Sequence, residues 1–169
     1  MIYPIVKFGN PVLEQPTQPI TAFDDELRKF IDDMFESMYE ARGIGLAANQ
    51  IGFPKRVAVI DVSFQEDASQ KLVLVNPKII QVEGNQVLEE GCLSLPDFRE
   101  KVTRPRRVTI QAQDTHGEWF EKTGEDLLAR AFLHETDHLD GKLYISHISV
   151  LKRDLIRRKI RKLMKEGTW

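Results

Sequence analysis

Four histidines occur in the chain, and two of them share one short run, Ala131-Phe-Leu-His-Glu-Thr-Asp-His-Leu-Asp-Gly141. His134 and His138 are four positions apart, which on a helix turns both rings to one face, within reach of a single ion. Glu135 is rotated by about 100° from His134, so it need not be a ligand and can stand beside a metal to handle protons. Such an H-E-x-x-H run points to a metal that activates water. Two histidines do not complete the site, because catalytic sites of the zinc type take three protein ligands and leave a position open. Downstream, His147, Asp140, Asp154 and Glu166 are available. Asp140 lies only two residues past His138 and points away around the helix. No glutamate stands where a protease of this motif takes its third ligand.

Upstream stands the single cysteine, Cys92, in Glu89-Glu-Gly-Cys-Leu-Ser-Leu-Pro96. Taken by itself, a free cysteine is most often a small buried hydrophobe. Beside H-E-x-x-H its thiolate becomes a soft, strong ligand for iron or zinc. A third run is Gly43-Ile-Gly-Leu-Ala-Ala-Asn-Gln-Ile-Gly52. Gly43 and Gly45 allow backbone approaches that a Cβ would block. The run can bring backbone close to an extended ligand, with Gln50 donating to an oxygen, or it can be a tightly packed helix end; both readings stand. It does not open a helix and lacks a third glycine at the required spacing, which excludes a phosphate cradle.

These residues need elements to hold them. Pro4, Pro11, Pro16 and Pro19 make residues 1–20 an extended arm. An amphipathic helix follows, capped by Thr21 or Asp24, with Leu27, Phe30, Ile31, Met34, Phe35 and Met38 on one face and Arg42-Gly43 at its end. Strand signals cover 57–62, 71–75 and 78–82 around Asn76-Pro77, then 86–89 after a Gly84-Asn85 turn, 108–113 and 118–122. Thr123-Gly-Glu-Asp126 reads as a capping signal for the helix that carries His134 and His138. A last helix starts after Ser149, with Leu151, Leu155, Ile156, Ile160 and Leu163 as its apolar stripe. From 149 to 166 it carries eight basic residues against two acidic ones.

Composition sets limits on this picture. The chain has 169 residues, 41% hydrophobic and 30% charged, which suits one globular domain over 1–169. A net charge of -2 gives no global pull toward DNA or a membrane. No apolar run approaches a membrane span, and the first residues show no export or transit pattern. A lone thiol fits a reducing compartment, so a cytoplasmic protein is expected.

Three runs in order resemble the bacterial peptide deformylases: Gly43-Ile-Gly-Leu-Ala-Ala-Asn-Gln50, Glu90-Gly-Cys-Leu-Ser94 and His134-Glu-Thr-Asp-His138. The likeness spans nearly the whole chain, from Gly9-Asn10-Pro11-Val12-Leu13 to the last helix. The helical C-terminus resembles the subclass typical of Gram-negative bacteria. One departure is Leu133, where the family usually places glutamine. The resemblance implies an α+β fold, with small antiparallel β-sheets around a central metal-binding helix, an N-terminal helix and a C-terminal helix. It implies Cys92, His134 and His138 as ligands of Fe2+, replaceable by Zn2+, Ni2+ or Co2+. Glu135 would be the proton shuttle, with Gln50 and the Leu93 backbone N–H as oxyanion donors. The substrate would be an N-formyl-methionyl nascent peptide, lying extended along Ile44, Gly45 and Gly91. Leu88, Leu127 and Ala131 are expected around its methionine, and Arg99 against its backbone. Arg130 either rims that methionine pocket or, as the preferred reading, is a solvated helix residue, and His116 and His147 read as surface histidines. Glu90 and Asp137 are expected to orient ligands or to pair with an arginine that the sequence does not identify. A monomer is expected, with the basic C-terminal helix available to ribosomal RNA.

Overall fold

The computed structural model describes residues 1–169. Three α-helices, α1 (Asp25–Glu40), α2 (Leu127–Leu139) and α3 (Val150–Lys165), combine with seven strands. The strands are β1 (Gly45–Ala47), β2 (Val57–Ile60), β3 (Leu72–Glu83), β4 (Gln86–Cys92), β5 (Leu95–Arg104), β6 (Arg107–Gln113) and β7 (Trp119–Glu125). Five form one antiparallel sheet in the order β1-β2-β3-β6-β7, and β4 and β5 form a separate hairpin. The architecture is therefore the expected α+β one. No helix is long and apolar enough to cross a membrane.

Strand alternation explains why the large sheet is covered on both faces. Val57 and Val59 of β2 pack with Phe30, Ile31, Met34 and Met38 of α1. Ile60, with Leu74, Val108 and Ile110, packs against Ala129, Ala131 and Phe132 of α2. A third cluster joins Leu95 and Val102 of β5 to Tyr144 and Ile145, and to Ile156 and Ile160 of α3. Asp24 caps α1 by accepting from Leu27 N–H at 3.0 Å. Ser149 caps α3 in the same way at Lys152.

Several expectations need correction. The arm contains a 3-10 turn at Pro11–Glu14, seeded by proline at its first position and capped by Asn10. The segments on either side of Asn76-Pro77 belong to one strand, β3, which absorbs them in a bulge where Asn76 is left-handed. The Gly84-Asn85 turn into β4 is as expected, and it carries the chain from the five-stranded sheet to the hairpin. Thr123 does not cap α2: it lies in β7, its hydroxyl bonded to that of Thr109, and Asp126 enters the helix with no side-chain cap. The α3 stripe is narrower than its spacing suggests, since Leu151 and Leu155 are exposed and Ile156 and Ile160 are the fully buried pair.

Candidate active site

Cys92 ends β4, at the tight turn through Leu93 and Ser94 into β5. The pairing register shifts between Gly91 and Cys92, and Asp97 takes a left-handed conformation opposite the shift. A bulge of this kind re-aims the side chain beside it. Cys92 Sγ lies 3.2 Å from His138 Nε2, which is 3.1 Å from His134 Nε2. The three donor atoms lie within 4.8 Å of one another. α2 supplies both rings from one face, as the four-residue spacing requires.

The surroundings fit this trio to a divalent cation. His134 Nδ1 lies 2.7 Å from Glu90 Oε2, a contact that holds the ring with Nε2 toward the other two donors. One thiolate and two imidazoles form a donor set suited to iron or zinc. Burial disfavours the charged form of both rings. At His134 the negative charges of Glu135, Cys92 and Glu90 overcome it, while at His138 burial and the nearby His134 hold the pKa well below the usual value. His138 is thus held neutral, whereas binding a cation at Nε2 requires His134 to release a proton.

Glu90 is the hub behind His134. Its two oxygens accept from Arg104 Nε at 3.1 Å and Nη2 at 2.7 Å. Arg104 Nη1 reaches Asp137 at 2.7 Å, and Asp137 also meets His147 Nε2 at 2.8 Å. Burial pushes the Glu90 carboxyl up, but the His134 and Arg104 hydrogen bonds override it and hold the pKa down at about 2. Arg104 is thus the partner of Glu90 and Asp137 that the sequence left unidentified. Its strand, β5, gave no clear signal because three consecutive charged residues, Arg99-Glu-Lys101, interrupt any apolar alternation along Phe98–Arg104.

Glu135 is 4% exposed, and its Oε1 has no hydrogen-bond partner. Burial raises its pKa to about 7. A carboxyl near neutrality can both take and give a proton. Gly45 makes room for it, because a Cβ at that position would collide with the Glu135 carboxylate.

A cavity of about 770 Å3 opens onto these groups. Cys92, His134, Glu135, Gln50, Leu93, Ile44, Gly45, Gly91, Arg99, Leu127 and Ala131 all line it. Gln50 is buried, its carbonyl held by Ala47 N–H at 3.0 Å. That turns its amide nitrogen to Ser94 Oγ at 3.3 Å and Cys92 Sγ at 3.6 Å. Leu88 is a correction: it is exposed and outside the cavity, whose wall along β4 begins one residue later, at Glu89. Arg130 is another. It is buried rather than solvated, its Nη1 donating to Glu89 O at 3.0 Å and lying 3.9 Å from Glu90 Oε1. Its position one turn before His134 carried that signal, because this face of α2 turns inward. Leu133 packs beside the sheet-side cluster of α2, away from the cavity lining.

Known proteins share this architecture. The family model described as polypeptide deformylase matches residues 2–154. A peptide deformylase of Acidobacterium capsulatum is 63% identical over 169 residues, covering 100% of this chain and 99% of that protein. The crystal structure of a peptide deformylase from Legionella pneumophila superposes with a TM-score of 0.91 at 42% identity, covering 99% of this chain and 98% of that one. The peptide deformylase of Plasmodium falciparum gives 0.89 at 34% identity, with 96% of each chain covered. With a family model over nearly the whole length and a relative alike from end to end, the chain belongs to the polypeptide deformylase family.

Proposed function

We infer that this protein is a metal-dependent hydrolase that removes the formyl group from the N-terminal formyl-methionine of new polypeptides, releasing formate and a free amine. One observation carries the reading: in a chain of this family, the donor atoms of Cys92, His134 and His138 converge beside the buried Glu135 at the floor of a cavity. The ion assigned to the three ligands is ferrous iron, with zinc, nickel or cobalt as replacements. When bound, it supplies Lewis-acid chemistry, acidifying a water and drawing charge from the carbonyl under attack.

The chain's residues do the remaining work. Glu135 takes the proton of the attacking water and later gives it to the leaving amine, a task suited to a carboxyl with a pKa of about 7. The Gln50 amide, fixed by Ala47, and the Leu93 N–H are the donors for the developing oxyanion; losing one such donor costs about 3–4 kcal/mol of barrier. The substrate lies extended along Ile44, Gly45 and Gly91, bonding through its backbone as an added strand does. Leu127 and Ala131 face its methionine side chain, and Arg99 stands at the rim. A metalloprotease reading draws on H-E-x-x-H alone and needs a downstream ligand. The engagement of His147 with Asp137 speaks against it.

Glu135→Gln is expected to lower formate release from a formyl-methionyl peptide about 10^2–10^4-fold while metal content is retained. Cys92→Ala is expected to abolish metal binding. No formate release from protein loaded anaerobically with iron would sink the enzyme reading. Metal binding that survives Cys92→Ala would restore the protease alternative.

The substrate places this work beside the ribosome, in the cytoplasm, with the enzyme acting as a monomer. The basic face of α3, where Arg157, Arg158 and Arg161 are exposed, is suited to ribosomal RNA. Reversing these three charges should release the protein from ribosomes in a pelleting assay, and undiminished co-sedimentation would exclude that role.

A further inference from the structure

Phe64 is out of place as a loop residue. It is 61% exposed, its φ is +55°, and the next residue, Gln65, has a φ of +72°. Side chains rarely adopt this conformation, and it persists only where the surroundings over-determine it. Asp61 does so here. Its fully buried carboxylate accepts from Ser63 N–H at 2.9 Å, Ser63 Oγ at 2.6 Å, Gln65 N–H at 3.3 Å and the Tyr39 hydroxyl at 2.5 Å. The Asp61 N–H donates to Ile44 O at 2.8 Å, tying the loop to the cavity wall. The fold therefore spends a buried charge and two strained residues on holding an aromatic ring in water.

That ring lines the same cavity as Cys92, His134 and Glu135. Gly45 stands against Glu135, where the chemistry lies, and Ile44, Gly43 and Arg42 lead away from it. The bond from Asp61 N–H to Ile44 O sets the loop that carries Phe64 beside the part of the wall next to Gly45. A substrate whose formyl group lies beside Glu135 and whose backbone follows Ile44 and Gly45 therefore brings the residues after its methionine past the loop that holds Phe64. Charge does not discriminate there, since Arg42 and Arg99 share the rim with Glu89 and Asp97. Of the two phenylalanine rings on the lining, Phe98 packs against Trp169 and Phe64 is the one left exposed to a ligand.

The geometry points to Phe64 as a specificity-determining residue that makes apolar contact with the side chain of one of the first two residues after the methionine. This rests on the deformylase reading and names the peptide class that the site prefers. The test is formate release from formyl-Met-X-Ala-Ser and formyl-Met-Ala-X-Ser peptides with X as Phe, Leu or Gly. At one of the two positions the unsubstituted enzyme is expected to favour Phe and Leu over Gly by about five-fold in kcat/KM, mainly through KM. Phe64→Ala should reduce that ratio below about two-fold, and Phe64→Trp should keep it. No preference at either position, or a preference that survives Phe64→Ala, overturns the proposal. So does loss of the preference in both variants, which would assign it to the loop rather than the ring. Absence of formate release from every peptide overturns the hydrolase reading itself, and this proposal with it.

Discussion

Arg104 divides its guanidinium between two carboxylates, with two nitrogens on Glu90 and one on Asp137. Arg104 and Glu90 are both 3% exposed, so removing the cation strands a buried anion. Arg104→Ala is expected to cost about 3–5 kcal/mol in urea unfolding. Arg104→Lys should recover only part of this, because an ammonium cannot reproduce the fork. Glu90→Gln keeps the shape but weakens the hold on His134 Nδ1, and should lower metal affinity about 10- to 100-fold in competition with a chelator. Unchanged affinity would mean that His134 is oriented by packing alone, with the Tyr144 ring stacked 6.5 Å from it as the obvious agent. The ligand candidates were legible in the sequence because chemistry restricts them to few residue types and H-E-x-x-H has a helical spacing. Arg104 was not legible, since the chain has many arginines and only the bend of β4 against β5 selects this one.

Among the elements, α1 declared itself through long apolar periodicity, α2 through the spacing of His134 and His138, and α3 only in part through its stripe. Its stripe was read as five residues, yet Leu151 is 71% exposed and Ile156 and Ile160 carry the contact with the hairpin. Periodicity reports which residues share a face, not how far a neighbour extends along it. Ile160→Ala is therefore expected to cost about 2–5 kcal/mol, and Leu151→Ala less than about 0.5 kcal/mol, in the same denaturation assay. Equal costs would show that α3 buries its first turn in solution. The entry to α2 was misread for a related reason. Thr123-Gly-Glu-Asp126 has the letters of a capping box, but β7 pairs with β6 as far as Glu125, and the ladder claims the backbone first.

On the scale of the whole molecule, the donor atoms sit on a seam. The histidines belong to the helix packed on the five-stranded sheet, while Cys92 belongs to the β4–β5 hairpin, which packs with α3 in a cluster of its own. Cys92 and His138 are 46 positions apart in sequence. A tie between them closes a loop of a size that a covalent cross-link would stabilise by about 4 kcal/mol through the entropy removed from the unfolded chain. Chelation is expected to lower the unfolding midpoint and to speed amide exchange in β4 and β5 before the large sheet; identical exchange with and without metal would refute this. In mechanical terms, the ion that would activate the attacking water would also be a rivet between two halves. A molecule that sheds it keeps the polar ties Glu90–His134, Arg104–Asp137 and Arg130–Glu89 across that seam, and its loss of activity and its exposure to proteases should then run on one clock.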